Sequence, residues 1–282
     1  MEARLAPSSQ QVEATLTPEA YRDAVHFRDE MKALAQSSWH PAGLVSDLPE
    51  HNDYVTLNIG ERSVVVQNFR GQLKAFENVC SHRGSQIRCE RKGSGPLRCP
   101  YHGWTFDAEG LPSGIPHRDT FAKLDEAQLA SLRLRTWKVE AVGKFLFVAS
   151  NEPAQDLRGE LGPFYEQLLE ISSALGREVD RSEMTIRANW KVAVENTLES
   201  YHVDLVHPDS FKRLGTSGDD FEFARRHSSW RTEVSPAFLA SWKKIEKPLR
   251  GRPLAFDGYR HLFLFPTLTV ASSFGASFSV QT

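Results

Sequence analysis

The sequence predicts an α+β protein: a small antiparallel β domain joined to a second domain in which antiparallel sheet is packed with helices. Three features carry this expectation. Between residues 39 and 150, short β-rich runs alternate with glycine-containing turns. A break follows at Asn151-Glu152-Pro153, and beyond it helical periodicity is mixed with further strand runs. At 282 residues the chain has room for two domains. The expected boundaries are a helical arm at 1–38 that packs with the second domain, a β domain at 39–150, and the mixed domain at 151–282.

In order along the chain, residues 1–16 read as a loose arm. Thr17-Pro18-Glu19 is a helix start, with a hydroxyl N-cap, proline at the first helical position and an acid in the first turn. Tyr21, Ala24, Val25, Arg28, Met31 and Ala35 follow on one moderately apolar face. Strands are predicted at Tyr54–Ile59, Ser63–Phe69, Leu73–Phe76, Trp104–Phe106, Ser131–Glu140 and Phe145–Ala149, with a hairpin turn at Arg70-Gly71. In the second half the expected helices are Phe164–Leu175, Val192–Tyr201 and a segment after Pro236. The expected strands are Glu183–Ala188, Phe221–His227, His261–Phe265 and Thr267–Ser272, and an alternating strand pattern occupies Phe278–Thr282.

Composition narrows the function classes. Hydrophobic residues are 40%, charged residues 25% and the formal net charge is -2, with no Lys/Arg block, so neither a nucleic-acid nor a membrane partner is expected. Apolar runs fall far short of the ~20 residues that span a bilayer. The N-terminus carries no leader pattern, and a cytoplasmic protein is expected. Three cysteines are too few for a disulfide framework and point to metal chemistry.

Two of them lie in Asn78-Val79-Cys80-Ser81-His82-Arg83-Gly84 and Cys99-Pro100-Tyr101-His102-Gly103-Trp104. Each segment offers a thiol, an imidazole and a glycine. In a [2Fe–2S] cluster Cys80 and Cys99 would hold one iron, and His82 and His102 the other. Neutral imidazoles in place of two thiolates raise the potential. Glycine lets backbone amides approach the sulfides. Zinc also accepts two cysteines and two histidines, although C-x-H with C-x₂-H on a β scaffold differs from zinc-finger spacing. Cys89 is left over and reads as a buried or partly buried inert thiol.

The second half contains Asn189-Trp190-Lys191, then Glu195-Asn196-Thr197-Leu198-Glu199-Ser200-Tyr201-His202, and His207-Pro208. Glu199 and His202 are three apart and would share a helix face. A helix ending just past His202 would swing His207 back beside it. Two imidazoles so placed supply most of a two-histidine, one-carboxylate set that leaves positions open on Fe(II). Taken alone, H-x₄-H is a weak signal and is more often the pattern of two surface or core histidines. Trp190 reads as core, Asn196 as a hydrogen-bonding neighbour of the site, and Asp204 as solvated.

The run C-S-H-R-G … C-P-Y-H-G-W-T-F-D-A-E-G resembles the Rieske motif of ring-hydroxylating oxygenase α subunits. The later N-W-K … E-N-x₂-E-x-Y-H-x₄-H resembles the mononuclear iron motif of the same family. Respiratory Rieske proteins carry two extra cysteines where this chain has Ser85 and Tyr101. The resemblance implies a Rieske domain at 39–150 and a catalytic domain at 151–282. It implies a [2Fe–2S] cluster, and mononuclear Fe(II) on His202 and His207. Glu199 becomes the electron-relay bridge from a neighbouring subunit's cluster. Implied partners are a small organic or aromatic substrate with O2, a reductase or ferredoxin donor, and a homotrimer with or without a small β subunit. Hydroxylation, dihydroxylation or demethylation would be the chemistry. The family's third iron ligand, a late carboxylate, has no match here: neither Asp257 nor Asp219-Asp220 fits. The chain is therefore expected to stop short of a full-length α subunit. A Rieske electron carrier without catalytic iron is the alternative.

Overall fold

The protein is seen in a computed structural model that describes residues 16–120, 124–150, 155–200, 202–209, 212, 217–250, 258–275 and 277–282. Two helices open it, α1 (Glu19–Arg22) and α2 (Ala24–Ser37). A single helix from a Thr17 cap was expected, but no side chain caps α1. The helix breaks at Asp23, whose carboxylate accepts the Val25 and His26 amides at 2.6 and 2.9 Å and starts α2 afresh.

The first domain contains β1 (Trp39–Leu44), β2 (Asp53–Ile59), β3 (Arg62–Phe69), β4 (Gln72–Glu77), β5 (Lys92–Ser94), the small hairpin β6 (Thr105–Phe106) and β7 (Pro112–Gly114), α3 (Glu126–Ser131), β8 (Thr136–Val142) and β9 (Phe145–Ala149). Seven of these strands form one antiparallel sheet in the order β1-β9-β8-β4-β3-β2-β5. The β3–β4 turn is the expected Arg70-Gly71, and both residues have positive φ (55° and 89°), as a two-residue hairpin loop demands. The strand predicted from Ser131 starts instead at Thr136. Asp125 and Gln128 close a reciprocal capping box, at 2.7 and 2.9 Å, that commits Glu126–Ser131 to α3.

The second half holds α4 (Leu157–Leu161), α5 (Phe164–Ala174), α6 (Trp190–Glu195), α7 (Val203–Val206), β10 (Ser217–Ala224), β11 (His227–Glu233), α8 (Pro236–Arg250), β12 (Tyr259–Leu264), β13 (Leu268–Ser273) and β14 (Ser277–Gln281). Its sheet is a meander in sequence order, β10 to β14. The predicted strand Phe221–His227 is split by a turn at Arg225 (φ 55°). Glu183–Ala188 is no strand. Met184 and Ile186 stay 79% and 56% exposed, and the connector is held by ion pairs rather than a ladder. No helix among the described residues is long and apolar enough to cross a membrane.

Period-two alternation distributes the core. In β3, Val64 and Val66 face a cluster with Val55, Ala75, Trp137 and Val148, while Val65 faces the pad beneath Cys80 and Cys99. In β9, Leu146 and Val148 point into the first domain. Phe145, Phe147 and Ala149 point the other way, against Leu161, Phe164 and Leu168 of α4–α5 and Leu262, Leu264 and Val270 of the second sheet. One continuous core therefore joins the two halves.

A polar anchor reinforces the join. The buried Asp47 carboxylate accepts the Leu44 amide at 3.0 Å, Lys92 at 2.9 Å and Arg181 of the connector at 3.2 Å. Burial pushes its pKa up, but the Leu44 amide and the two cations outweigh that and hold it below the ordinary 3.8. A depressed folded-state pKa adds stability above the unfolded value, lost as pH falls through the folded one. Asp47→Asn is expected to lower unfolding stability by about 1–3 kcal/mol at pH 7. The gap to wild type should close as pH falls below about 3.8, checked by urea unfolding at both pH values.

Candidate functional site

The two cysteine loops are built alike. In the first, the Cys80 amide donates to Ser85 O at 2.8 Å and the Gly84 amide to Cys80 O at 2.9 Å. In the second, Cys99 donates to Trp104 O at 2.8 Å and Gly103 to Cys99 O at 3.0 Å. Each loop turns on a glycine at positive φ, 72° at Gly84 and 74° at Gly103. The loops bring together two buried thiols and two imidazoles. Cys80 and Cys99 are 3% and 1% exposed, and the His82 and His102 rings lie 4.8 Å apart. His82 stacks on Trp104 at 4.7 Å, which orients its ring.

Burial first, and the neighbouring Cys99 thiol, push Cys80 above its ordinary value against the opposing His82 amide. Metal binding to such a pair releases protons. Burial, then the charges of His102 and Arg83, push His82 down, which favours the neutral imidazole that a metal requires. A thiol pair and an imidazole pair on twin glycine turns fit a [2Fe–2S] cluster. Cys89 was expected to be buried or partly buried, yet it is exposed, on the loop leading to β5.

The second constellation is braced by the N-terminal arm. Asn189 caps α6 through the Lys191 amide (3.1 Å) and donates to Tyr21 O (3.2 Å). Trp190 Nε1 and Lys191 Nζ both donate to Glu30 of α2, at 3.0 and 2.5 Å. Trp190 is thus half-buried and hydrogen-bonded rather than plain core. The helix predicted over Val192–Tyr201 ends at Glu195, and Glu199 lies outside regular helix. Its carboxylate still meets His202, accepting the amide at 3.2 Å and contacting ring Nδ1. His202 then precedes the single turn of α7, and the His207 amide closes it by donating to Val203 O at 2.9 Å. One short turn brings the two rings to 5.6 Å. With Nδ1 of His202 engaged by Glu199, Nε2 is the nitrogen for a metal.

Two imidazoles able to hold a metal are thereby brought together. Among the described residues no group of three His, Cys, Asp or Glu side chains surrounds a metal position. Asp220 pairs with Arg231 at 2.8 Å, Asp257 lies outside the described residues, and so does the side chain of Asp204.

Sequence reasoning missed the wall opposite the histidines. The cross-strand row Phe221–Trp230–His261–Ala271–Ser279 runs over the second sheet. A cavity of about 150 Å³ lies between sheet and histidines, lined by Glu199, His202, His207, Trp230, Tyr259 and His261, with Asn196 at its edge. Trp230 packs 5.0 Å from Tyr259 and 5.4 Å from His261. Burial pushes Tyr259 up to about 12 and His261 down to about 4. The only available signal was that Tyr259 and His261 stand two apart on one face of the strand.

Two family descriptions match the sequence: the Rieske [2Fe-2S] domain over residues 38–137 and the ring hydroxylating alpha subunit (catalytic domain) over residues 173–276. The carnitine monooxygenase oxygenase subunit of Escherichia coli (strain K12) is 33% identical over 251 residues, covering 87% of this chain and 64% of that protein. The glycine betaine monooxygenase oxygenase subunit of Chromohalobacter salexigens is 31% identical over 240 residues (81% and 50%). Toluate 1,2-dioxygenase subunit alpha of Pseudomonas putida is 32% identical over 230 residues (75% and 49%). The chain spans about half the length of the glycine betaine and toluate relatives and 64% of the carnitine one. A solved quaternary ammonium Rieske monooxygenase in complex with L-carnitine shares the fold, with TM-score 0.75, 23% identity, and 92% and 67% of the two chains covered. Naphthalene 1,2-dioxygenase with bound indole does so at TM-score 0.71 and 23% identity, covering 90% and 65%.

The twin glycines differ in their surroundings. A Cβ at Gly84 meets nothing within 4 Å, whereas one at Gly103 meets Arg98 at 3.0 Å and Pro116 at 3.3 Å. Gly84→Ala is expected to cost about 1–2 kcal/mol of backbone strain, and Gly103→Ala more. Thermal unfolding and retention of the cluster's visible spectrum should rank them in that order.

Proposed function

Because the chain belongs to the Rieske oxygenase α subunits, with a Rieske [2Fe–2S] domain followed by a ring-hydroxylating catalytic domain, we propose that it serves as the electron-relaying oxygenase component for a small organic substrate. The observation that carries this reading is the pair of sites in one chain: twin Cys/His loops, and His202 held by Glu199 beside His207 over a cavity. Cys80, Cys99, His82 and His102 would hold the cluster, and His202 and His207 the iron. When bound, these groups supply single electrons and O2 activation for hydroxylation, dihydroxylation or demethylation.

Glu199 orients His202 and stays 46% exposed on its other side. Tyr101 at the tip of the second cluster loop is 62% exposed, beside His102. These exposures suit transfer across a subunit boundary, with Glu199 as the bridge in a homotrimer, with or without a small β subunit. A cytoplasmic reductase or ferredoxin would be the donor. The relatives act on glycine betaine, carnitine and toluate. All three are carboxylates, and a small organic carboxylate is the substrate class proposed here.

Anaerobic reconstitution followed by iron and acid-labile sulfide analysis tests the reading. About three iron to two sulfide per chain is expected. A ratio of about two to two would favour the electron carrier without catalytic iron. Glu199→Ala should leave the cluster's spectrum unchanged while lowering substrate-dependent O2 consumption roughly 10–100-fold; normal turnover would exclude the bridge.

A further inference from the structure

His261 is 4% exposed, and neither ring nitrogen has a hydrogen-bond partner among the described residues. Buried polar groups are almost always paired, and an unpaired one costs stability that an apolar ring of the same shape would not. Nothing in the fold requires an imidazole there. Its strand neighbours Leu262 and Leu264 serve the core on the opposite face, and the ring stacks on Trp230 at 5.4 Å as a phenyl ring would. What distinguishes the position is that it faces the cavity beneath His202 and His207.

The cavity, about 150 Å³, has the size that accommodates a benzene-sized body. Trp230 and Tyr259 give it aromatic walls, and no Lys or Arg is among the described residues that line it. An anionic oxygen entering this space meets no side-chain cation, and the Glu199 carboxylate beside His202 repels it toward the sheet. An imidazole N–H can donate to it, and a bond to a charged acceptor is the stronger kind. We propose that His261 is the substrate-anchoring residue, donating a hydrogen bond to a carboxylate oxygen while the rest of the compound extends across Trp230 and Tyr259 toward His202 and His207. This deepens the oxygenase reading and rests on it. It assigns the specificity for a carboxylate to one side chain of the sheet.

The test compares wild type with His261→Phe and His261→Gln, each reconstituted with iron and sulfide. Calorimetric titration uses glycine betaine and toluate against their carboxylate-free counterparts choline and toluene. Cluster absorbance and iron content monitor the oxygenase reading separately, so its failure is seen without reference to His261. In His261→Phe the ligand-free unfolding temperature should match or exceed wild type. Affinity for the carboxylates should fall roughly 10- to 100-fold, while choline and toluene bind as before. His261→Gln, which keeps a donor, should recover part of the loss. Unchanged carboxylate affinity in His261→Phe, with a lowered unfolding temperature, would make the ring a structural element and overturn the proposal. So would a wild-type chain that binds the carboxylates no more tightly than their counterparts.

Discussion

Burial of β9 on both faces is the constraint on which the rest of the architecture depends. Leu146 and Val148 close the core of the first domain, and Phe145, Phe147 and Ala149 of the same strand close the core shared with α4, α5 and the second sheet. A strand that is apolar at every position cannot turn either face to water without exposing large side chains. The domains therefore do not behave as beads on a linker. The frame that carries the cysteine loops and the sheet beneath the histidines are packed against one another through β9, with Trp39 of β1 and Val142 of β8 beside it.

On that frame, both sites are made by short-range backbone chemistry rather than by regular elements. The cysteine loops repeat one pair of backbone hydrogen bonds around a left-handed glycine, so the placing of the thiols and imidazoles follows from loop geometry. The histidine pair uses a different device, a helix of one turn with a histidine at each end. Both place the candidate ligands at chain reversals, where side chains converge. Packing behind them supplies rigidity: Phe76, Ile87 and Leu97 under the cysteines, and Trp230 reaching Thr197 O at 3.4 Å under the histidine segment.

Much of this was legible in the residues. Strand period, the Arg70-Gly71 turn and the cysteine–histidine spacing each depend on local chemistry that sequence displays. What sequence hid was decided by tertiary partners. Met184 and Ile186 alternate as a strand would, but the segment carrying them is tied down by Arg181 to Asp47 and by Arg91 to Glu183, and its apolar side chains stay outside. Glu199 and His202 meet as expected, yet through a bend rather than a helix face, because the helix had already ended at Glu195. His261 was invisible as a site residue, since only the register of β11, β12 and β13 places it between Trp230 and Ala271.

The grip of Glu30 on Trp190 and Lys191 has a consequence for synthesis. The partners are separated by 160 and 161 positions along the chain. At translation rates of about 5–20 residues per second, α2 leaves the ribosome roughly 8–32 s before the residues it will hold. Ala35 of the same helix belongs to the core of the first domain, which can be complete by then. Glu30 is thus in place on a helix that can already be docked through Ala35, while the outer face of β9 still awaits its cover. The segment that carries the histidines would emerge onto a prepared template rather than having to find its place in a chain that is still collapsing.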